Sequence, residues 1–202
     1  MKGLILKDFM TIKKQLKLYA VFIIFFAFTS IFSGDTSFLG GILCIYCAMI
    51  PVNTLSYDEM AKWDKYALSM PITRRDIILS KYIIGLIGIS IGLLIMTVFN
   101  LFLPVKEGNS FFISLIFFGL SIIFLSVLLP VIFKFGVEKG RMAMMLTLFL
   151  PTILIMLASK LNLPVPSAET IKIAAYFSPV IIILILLVSM IISLRIYTKK
   201  EL

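Results

Sequence analysis

The sequence predicts an all-α integral membrane protein with six transmembrane helices, and three observations lead there. Of its 202 residues, 61% are hydrophobic and only 14% charged, whereas a water-soluble domain has about a quarter of its residues charged. Six apolar stretches of spanning length recur along the chain, more all-apolar helices than so short a soluble fold would bury. The charged residues gather between those stretches, with nineteen Lys and Arg against ten Asp and Glu. The whole chain, residues 1–202, is predicted as a single transmembrane domain.

Residues 1–17 place Ile5, Phe9, Ile12 and Leu16 at the spacing of one helical face, with Lys7, Lys13, Lys14 and Lys17 elsewhere around it. That pattern predicts an amphipathic helix lying at the membrane interface, its lysines drawn to an anionic lipid surface. A solvated basic tail is the plainer alternative, but it needs no apolar periodicity. The six spans are predicted near Leu18 to Phe32, Phe38 to Leu55, Tyr82 to Leu103, Phe111 to Phe133, Met142 to Leu157 and Phe177 to Leu194. The first and fifth are short for a hydrocarbon core of about 30 Å. No cleavable signal peptide is expected, because a long basic segment precedes the first apolar run and Gly34-Asp35 follows it.

Within the second span, Cys44 and Cys47 form a Cys-x-x-Cys set in apolar sequence. Packing is the expected role, because free cysteine behaves as a small buried hydrophobe. In the third span Gly85, Gly88 and Gly92 predict a seam for close helix packing, either inside the chain or against a second copy. Pro51, Pro130 and Pro151 are read as kinks that neighbouring helices tolerate. Asn53 and Asn100, each near a span end, are expected to hydrogen-bond between helices.

Residues 56–81, SYDEMAKWDKYALSMPITRRDIILSK, form the longest polar island between spans. Asp58 and Lys62 lie four apart and predict a pair along an exposed helix face, with Met60, Trp63 and Ala67 on the other. Trp63 is the only tryptophan, a residue suited to a protein interface or to the lipid headgroup boundary. Pro71 breaks the helix, and Thr73 with Asp76 reads as a capping box opening the next one. Two short helical pieces with an elbow at Pro71 are therefore expected. Residues 159–176 are the other long interruption, with Pro164-Val165-Pro166 leading to a helix that Ser167 could cap.

Charge sets the orientation. Six spans put both termini on one side, and that side collects every Lys and Arg except Lys106, Lys160 and Lys172. By the positive-inside rule both termini and the 56–81 island are cytoplasmic, and residues 159–176 are extracellular. A membrane surface accounts for the basic excess without any nucleic acid.

Several chemistries lack their parts. The chain has no His, the commonest general base and metal ligand, and no Gly-rich phosphate loop of the G-x-x-x-x-G-K-[ST] type. The spans as drawn hold no Asp, Glu, Lys or Arg, which argues against ion-coupled transport and against an intramembrane enzyme. No catalytic residue and no metal ligand is expected.

A membrane body with a docking loop and no energy source of its own points to a partner that supplies the energy. The run Tyr57-Asp58-Glu59, Lys62-Trp63-Asp64-Lys65-Tyr66-Ala67-Leu68-Ser69-Met70-Pro71-Ile72-Thr73-Arg74 and Ser80-Lys81-Tyr82 resembles the loop of small type 2 ATP-binding-cassette (ABC) permeases. It is similar in particular to the bacterial branch that includes exporters of phenol-soluble modulins and other antimicrobial peptides. The resemblance covers the whole chain in architecture, an amphipathic elbow helix at 1–17 and an extracellular helical insertion at 159–176 included, and only the loop in sequence. It implies that 56–81 carries a coupling helix seated in an ATPase subunit, with Met60, Trp63, Tyr66, Met70, Pro71 and Arg74 at or near the contact. It also implies two copies of the ATPase, which bind ATP and Mg, and a second permease, either an identical copy or a related one. This chain would then hold no cofactor. The implied activity is export of amphipathic peptides or hydrophobic compounds across the cell membrane. A partnerless protein that binds a toxic peptide, conferring immunity or resistance, is the alternative from another class.

Overall fold

A computed structural model describes residues 2–33, 37–102, 110–161 and 168–199. The described residues form seven helices and no strand: α1 (Lys2–Ser33), α2 (Ser37–Met60), α3 (Trp63–Leu68), α4 (Arg74–Phe102), α5 (Ser110–Phe135), α6 (Val137–Lys160) and α7 (Ala168–Lys199). A helix satisfies its backbone polar groups within itself, which is what an apolar solvent demands. Accordingly the outside is greasy: Phe32, Leu94, Leu101, Phe102, Leu146 and Ile183 are among the many large apolar side chains left exposed. Five helices among the described residues, all but α3 and α6, are long and apolar enough to cross a membrane. The expected span from Met142 to Leu157 falls in α6, outside those five.

Packing centres on α5, which touches α2, α4, α6 and α7, while α1 leans on α2 and α4 from outside. Leu125, Leu128 and Leu129 of α5 are fully buried. Polar groups inside the bundle find one another. Tyr82 Oη of α4 lies 2.6 Å from Ser189 Oγ and 2.9 Å from Ser193 Oγ of α7, and Ser189 Oγ donates to the Ser126 carbonyl of α5 at 2.6 Å. Asn53 donates to Tyr19 Oη (2.6 Å) and Asn100 to Ser114 Oγ (2.8 Å), joining α2 to α1 and α4 to α5.

Two features differ from the sequence-based expectation. Residues 1–17 do not make a separate interfacial elbow: α1 continues without a break into the first apolar stretch. Nothing interrupts it, since its one glycine, Gly3, stands in its first turn and it has no proline. At 1.5 Å per residue its 32 residues reach about 48 Å, well past a hydrocarbon core of about 30 Å, so the basic part projects as an extension of the same rod. Likewise residues from Ala168 onward are not a separate insertion helix but the opening of α7, also 32 residues long and continuous through Pro179. Pro164-Val165-Pro166 and the Ser167 cap lie outside the described residues.

Candidate functional site

The connection from α2 to α4 is built by local rules and then fastened by distant ones. Helix α2 stops at Met60, where the Lys62 amide turns back to the Glu59 carbonyl (3.1 Å) and Lys62 itself adopts a left-handed backbone with φ 50°. This break, immediately before α3, is additional to the elbow at Pro71. It also cancels the expected Asp58–Lys62 pair, because the two residues no longer share a helix. Helix α3 ends as Ser69 folds back, its Oγ donating to the Tyr66 carbonyl at 2.7 Å. Before α4, Thr73 and Asp76 bond reciprocally: the Thr73 amide donates to Asp76 Oδ2 and the Asp76 amide to Thr73 Oγ1, both at 3.2 Å. The free amides at the start of α4 are thereby capped.

Asp58 turns inward instead, into a cluster of four charges. Lys81 Nζ, on α4, donates to Asp8 Oδ1 and Oδ2 of α1 at 2.9 and 2.8 Å, to Asp58 Oδ2 of α2 at 2.6 Å, and to Thr54 Oγ1 at 3.3 Å. Lys7 bridges to the same two carboxylates, bonding Asp58 and lying 3.3 Å from Asp8. Lys81 and Asp8 are each only 1% exposed. Two positive and two negative charges balance, which is the condition for keeping such groups away from water. The cluster joins α1, α2 and α4 at one point and reaches α3 as well, for Lys7 Nζ sits 4.5 Å from the centre of the Trp63 ring, a cation–π contact.

Two more fasteners act beside it. Arg74 donates to the carbonyls of Tyr197 (3.1 Å) and Thr198 (2.7 Å), supplying partners to the last turn of α7. Glu59 Oε2 accepts the Val137 amide at 2.9 Å, capping α6 just after Gly136, whose φ of +85° favours glycine. Ala67 is fully buried, so α3 is pinned on its inner side.

The residues singled out from the sequence thus divide. Met60 (79% exposed), Tyr66 (63%) and Met70 point outward, and Pro71 is exposed. Trp63 and Arg74 face the protein and hold it together. Gly85 sits where α4 meets Leu125 of α5 and Pro51 of α2, while Gly88 and Gly92 lie against Ile50 and Cys47 of α2. The glycine seam is therefore filled within the chain, and Cys47 is a packing residue on it.

Reading the sequence missed Lys7, Asp8, Glu59 and Lys81. Asp8 carried a faint signal: it is the one acid among the lysines of α1 and follows buried Leu4 by one turn. Lys81 looked like the last residue of a polar island, but it is a buried charge in the third turn of a membrane helix.

A greasy bundle with a charged, rigidly fastened connection at one end defines a multi-pass membrane protein. The chain belongs to a known family of them, the one described as ABC-2 family transporter protein, which matches residues 3–198. It is thus a membrane permease component of an ABC transporter, in a family that is not itself catalytic and generally works with an ABC ATPase subunit. No curated protein and no solved structure matches the chain.

Proposed function

We propose that this chain is the permease of an exporter driven by a separate ABC ATPase, with amphipathic peptides or hydrophobic compounds as cargo. The observation that carries the reading is the two-sided build of the α2–α4 connection. Its outer side offers Met60, Tyr66 and Met70, apolar side chains that a partner surface would cover. Its inner side is fixed to α1, α2, α4, α6 and α7 through Asp58, Glu59, Trp63 and Arg74, so a force applied at α3 reaches most of the bundle. In this reading α3 is the coupling helix, two ATPase copies hold ATP and Mg, and a second permease, most simply an identical chain, completes the path. Helix α6 serves as the sixth span, both termini and the connection are cytoplasmic, and residues 159–176 face outward. The greasy cargo class is supported by α4 from Tyr82 to Phe102 and α5 from Ser110 to Phe133, neither of which carries a charged residue.

The test is to purify the chain with a candidate ABC ATPase and compare wild type with Tyr66→Ala and Met60→Ala. Both side chains are exposed, so the folded chain should be undisturbed while complex formation and ATPase stimulation fall at least tenfold. Unchanged complex formation in both variants would refute the assignment of α3. Inverted vesicles containing the complex should take up a fluorescent amphipathic helical peptide only when ATP is present.

A further inference from the structure

Helix α1 meets α4 twice and stands away from it in between. One meeting is the Asp8–Lys81 pair; the other is the cluster of Ala27, Leu39, Leu43 and Met96, with Ile23 and Ile95 packed against it. Between them lies an apolar groove of about 180 Å³, walled by Phe9, Ile12 and Leu16 of α1 and by Ile84, Ile87 and Ile91 of α4. Its lining runs from Ile5 to Ile23 along α1, and the stretch from the level of Lys13 to Ile23 is about 15 Å at 1.5 Å per residue, one leaflet's half of a core about 30 Å thick. The volume suits a hydrocarbon chain; a helix, about 10–12 Å across with its side chains, does not enter.

The lining itself carries no charge, but a lysine of α1 stands beside it. Lys13 follows Phe9 by four residues and precedes Leu16 by three, so it stands on the same helix face as both. Lys17, one turn further on, is turned about 40° farther from the groove. Both lysines are exposed, and among the described residues neither pairs with a carboxylate. Lys7, by contrast, is taken up by the buried cluster. Free cations beside a chain-wide apolar groove match an ion that carries a hydrocarbon tail.

We infer that the groove between α1, α2 and α4 is a site for an anionic phospholipid, with one acyl chain along Ile12, Leu16, Ile87 and Ile91 and the phosphate on Lys13. The bound lipid fills the gap between α1 and α4 and steadies α1 without any protein partner, independently of the transport reading.

The site is tested by native mass spectrometry of the detergent-purified chain titrated with dioleoyl phosphatidylglycerol or dioleoyl phosphatidylcholine, which share their chains and differ in charge. Wild type should retain one phosphatidylglycerol in preference to phosphatidylcholine. Lys13→Gln should weaken that binding about fivefold, the worth of one lysine at an anionic surface. Lys14→Gln should change it little, because about 100° of turn per residue places Lys14 on the opposite side of α1 from the groove. Ile91→Trp, at a half-exposed position, should fill the groove and abolish retention with the unfolding midpoint unchanged; Ile87→Phe tests the same wall should that variant not fold. Equal retention of the two lipids, an equal loss with Lys14→Gln, or undiminished binding in the filled groove would each overturn the inference. So would a groove-filling variant that turns a dimer into a monomer while leaving the lipid bound, since a second copy would then be the occupant.

Discussion

Replacing Lys81 by Met removes one charge from the four-charge cluster while keeping an unbranched side chain of similar length. Asp8 and Asp58 then share Lys7 alone, so the cluster changes from two positive and two negative charges to one positive and two negative. Lys81 loses its bonds to both Asp8 oxygens, to Asp58 and to Thr54, and Asp8, 1% exposed, cannot recover them from water without moving α1. Breaking one partner out of a buried ion pair costs about 3–5 kcal/mol. At about 2–4 °C per kcal/mol for a chain of this size, the unfolding midpoint should fall by about 6–20 °C. The assay is thermal unfolding in detergent, followed by the fluorescence of Trp63, which packs on Lys7 and so reports the cluster directly. The companion variant, Lys81→Met with Asp8→Leu, removes one charge of each sign and leaves Lys7 paired with Asp58. It should recover most of the loss, because a buried pair replaced by apolar side chains is often neutral or better. A Lys81→Met chain that unfolds within about 2 °C of wild type, or a double variant no more stable than the single, would show that the four charges do not act as one unit.

Gly85→Leu should destabilise the chain by about 1–3 kcal/mol through overpacking, because even a Cβ there would lie 2.8 Å from Leu125 and 3.3 Å from the rigid ring of Pro51. Thermal unfolding measures it, and a neutral result would mean that α2, α4 and α5 are not closely packed at that level. Arg74→Met should cost about 1–3 kcal/mol and speed hydrogen exchange at the end of α7, whose Tyr197 and Thr198 carbonyls it serves. Unchanged exchange together with lost ATPase binding would instead return Arg74 to the partner contact that its sequence context suggests.

Most of the body is legible from composition, because an apolar solvent leaves helices as nearly the only choice and hydropathy marks them. Local signals were equally readable: the Thr73–Asp76 cap, the close approach at Gly85, Gly88 and Gly92, and the interhelical bonds of Asn53 and Asn100. The charge cluster was not, for its bonds join residues 23, 51 and 73 positions apart in the chain, and no periodicity encodes that. Asp58 illustrates why. Its spacing from Lys62 offered a local partner, but the left-handed turn at Lys62 ended the helix and freed Asp58 for stronger, drier partners. The length of α1 was hidden for the opposite reason: amphipathic and apolar stretches look like different elements, yet no glycine or proline separates them.

The balance of the cluster bears on why charges, rather than leucines, occupy this junction. Apolar packing holds α4 to α2 and α5 along most of their length, and it tolerates small sliding because one greasy contact resembles the next. Lys81 tolerates none: its ammonium must meet Asp8, Asp58 and Thr54 at hydrogen-bond distance, or bare charge is left without water. Such a site costs desolvation and adds little net stability, but it gives α1, α2 and α4 one register at the end where α3 is attached through Lys7 and Trp63. If the permease is driven from that end, as proposed above, a displacement of α3 that the cluster cannot absorb locally must pass to the helices behind it. The same reasoning separates stability from coupling. The double variant Lys81→Met with Asp8→Leu should fold well, with α1 free to shift against α4, so a normal melting point combined with ATPase activity no longer linked to peptide uptake is the outcome that assigns the four charges to transmission.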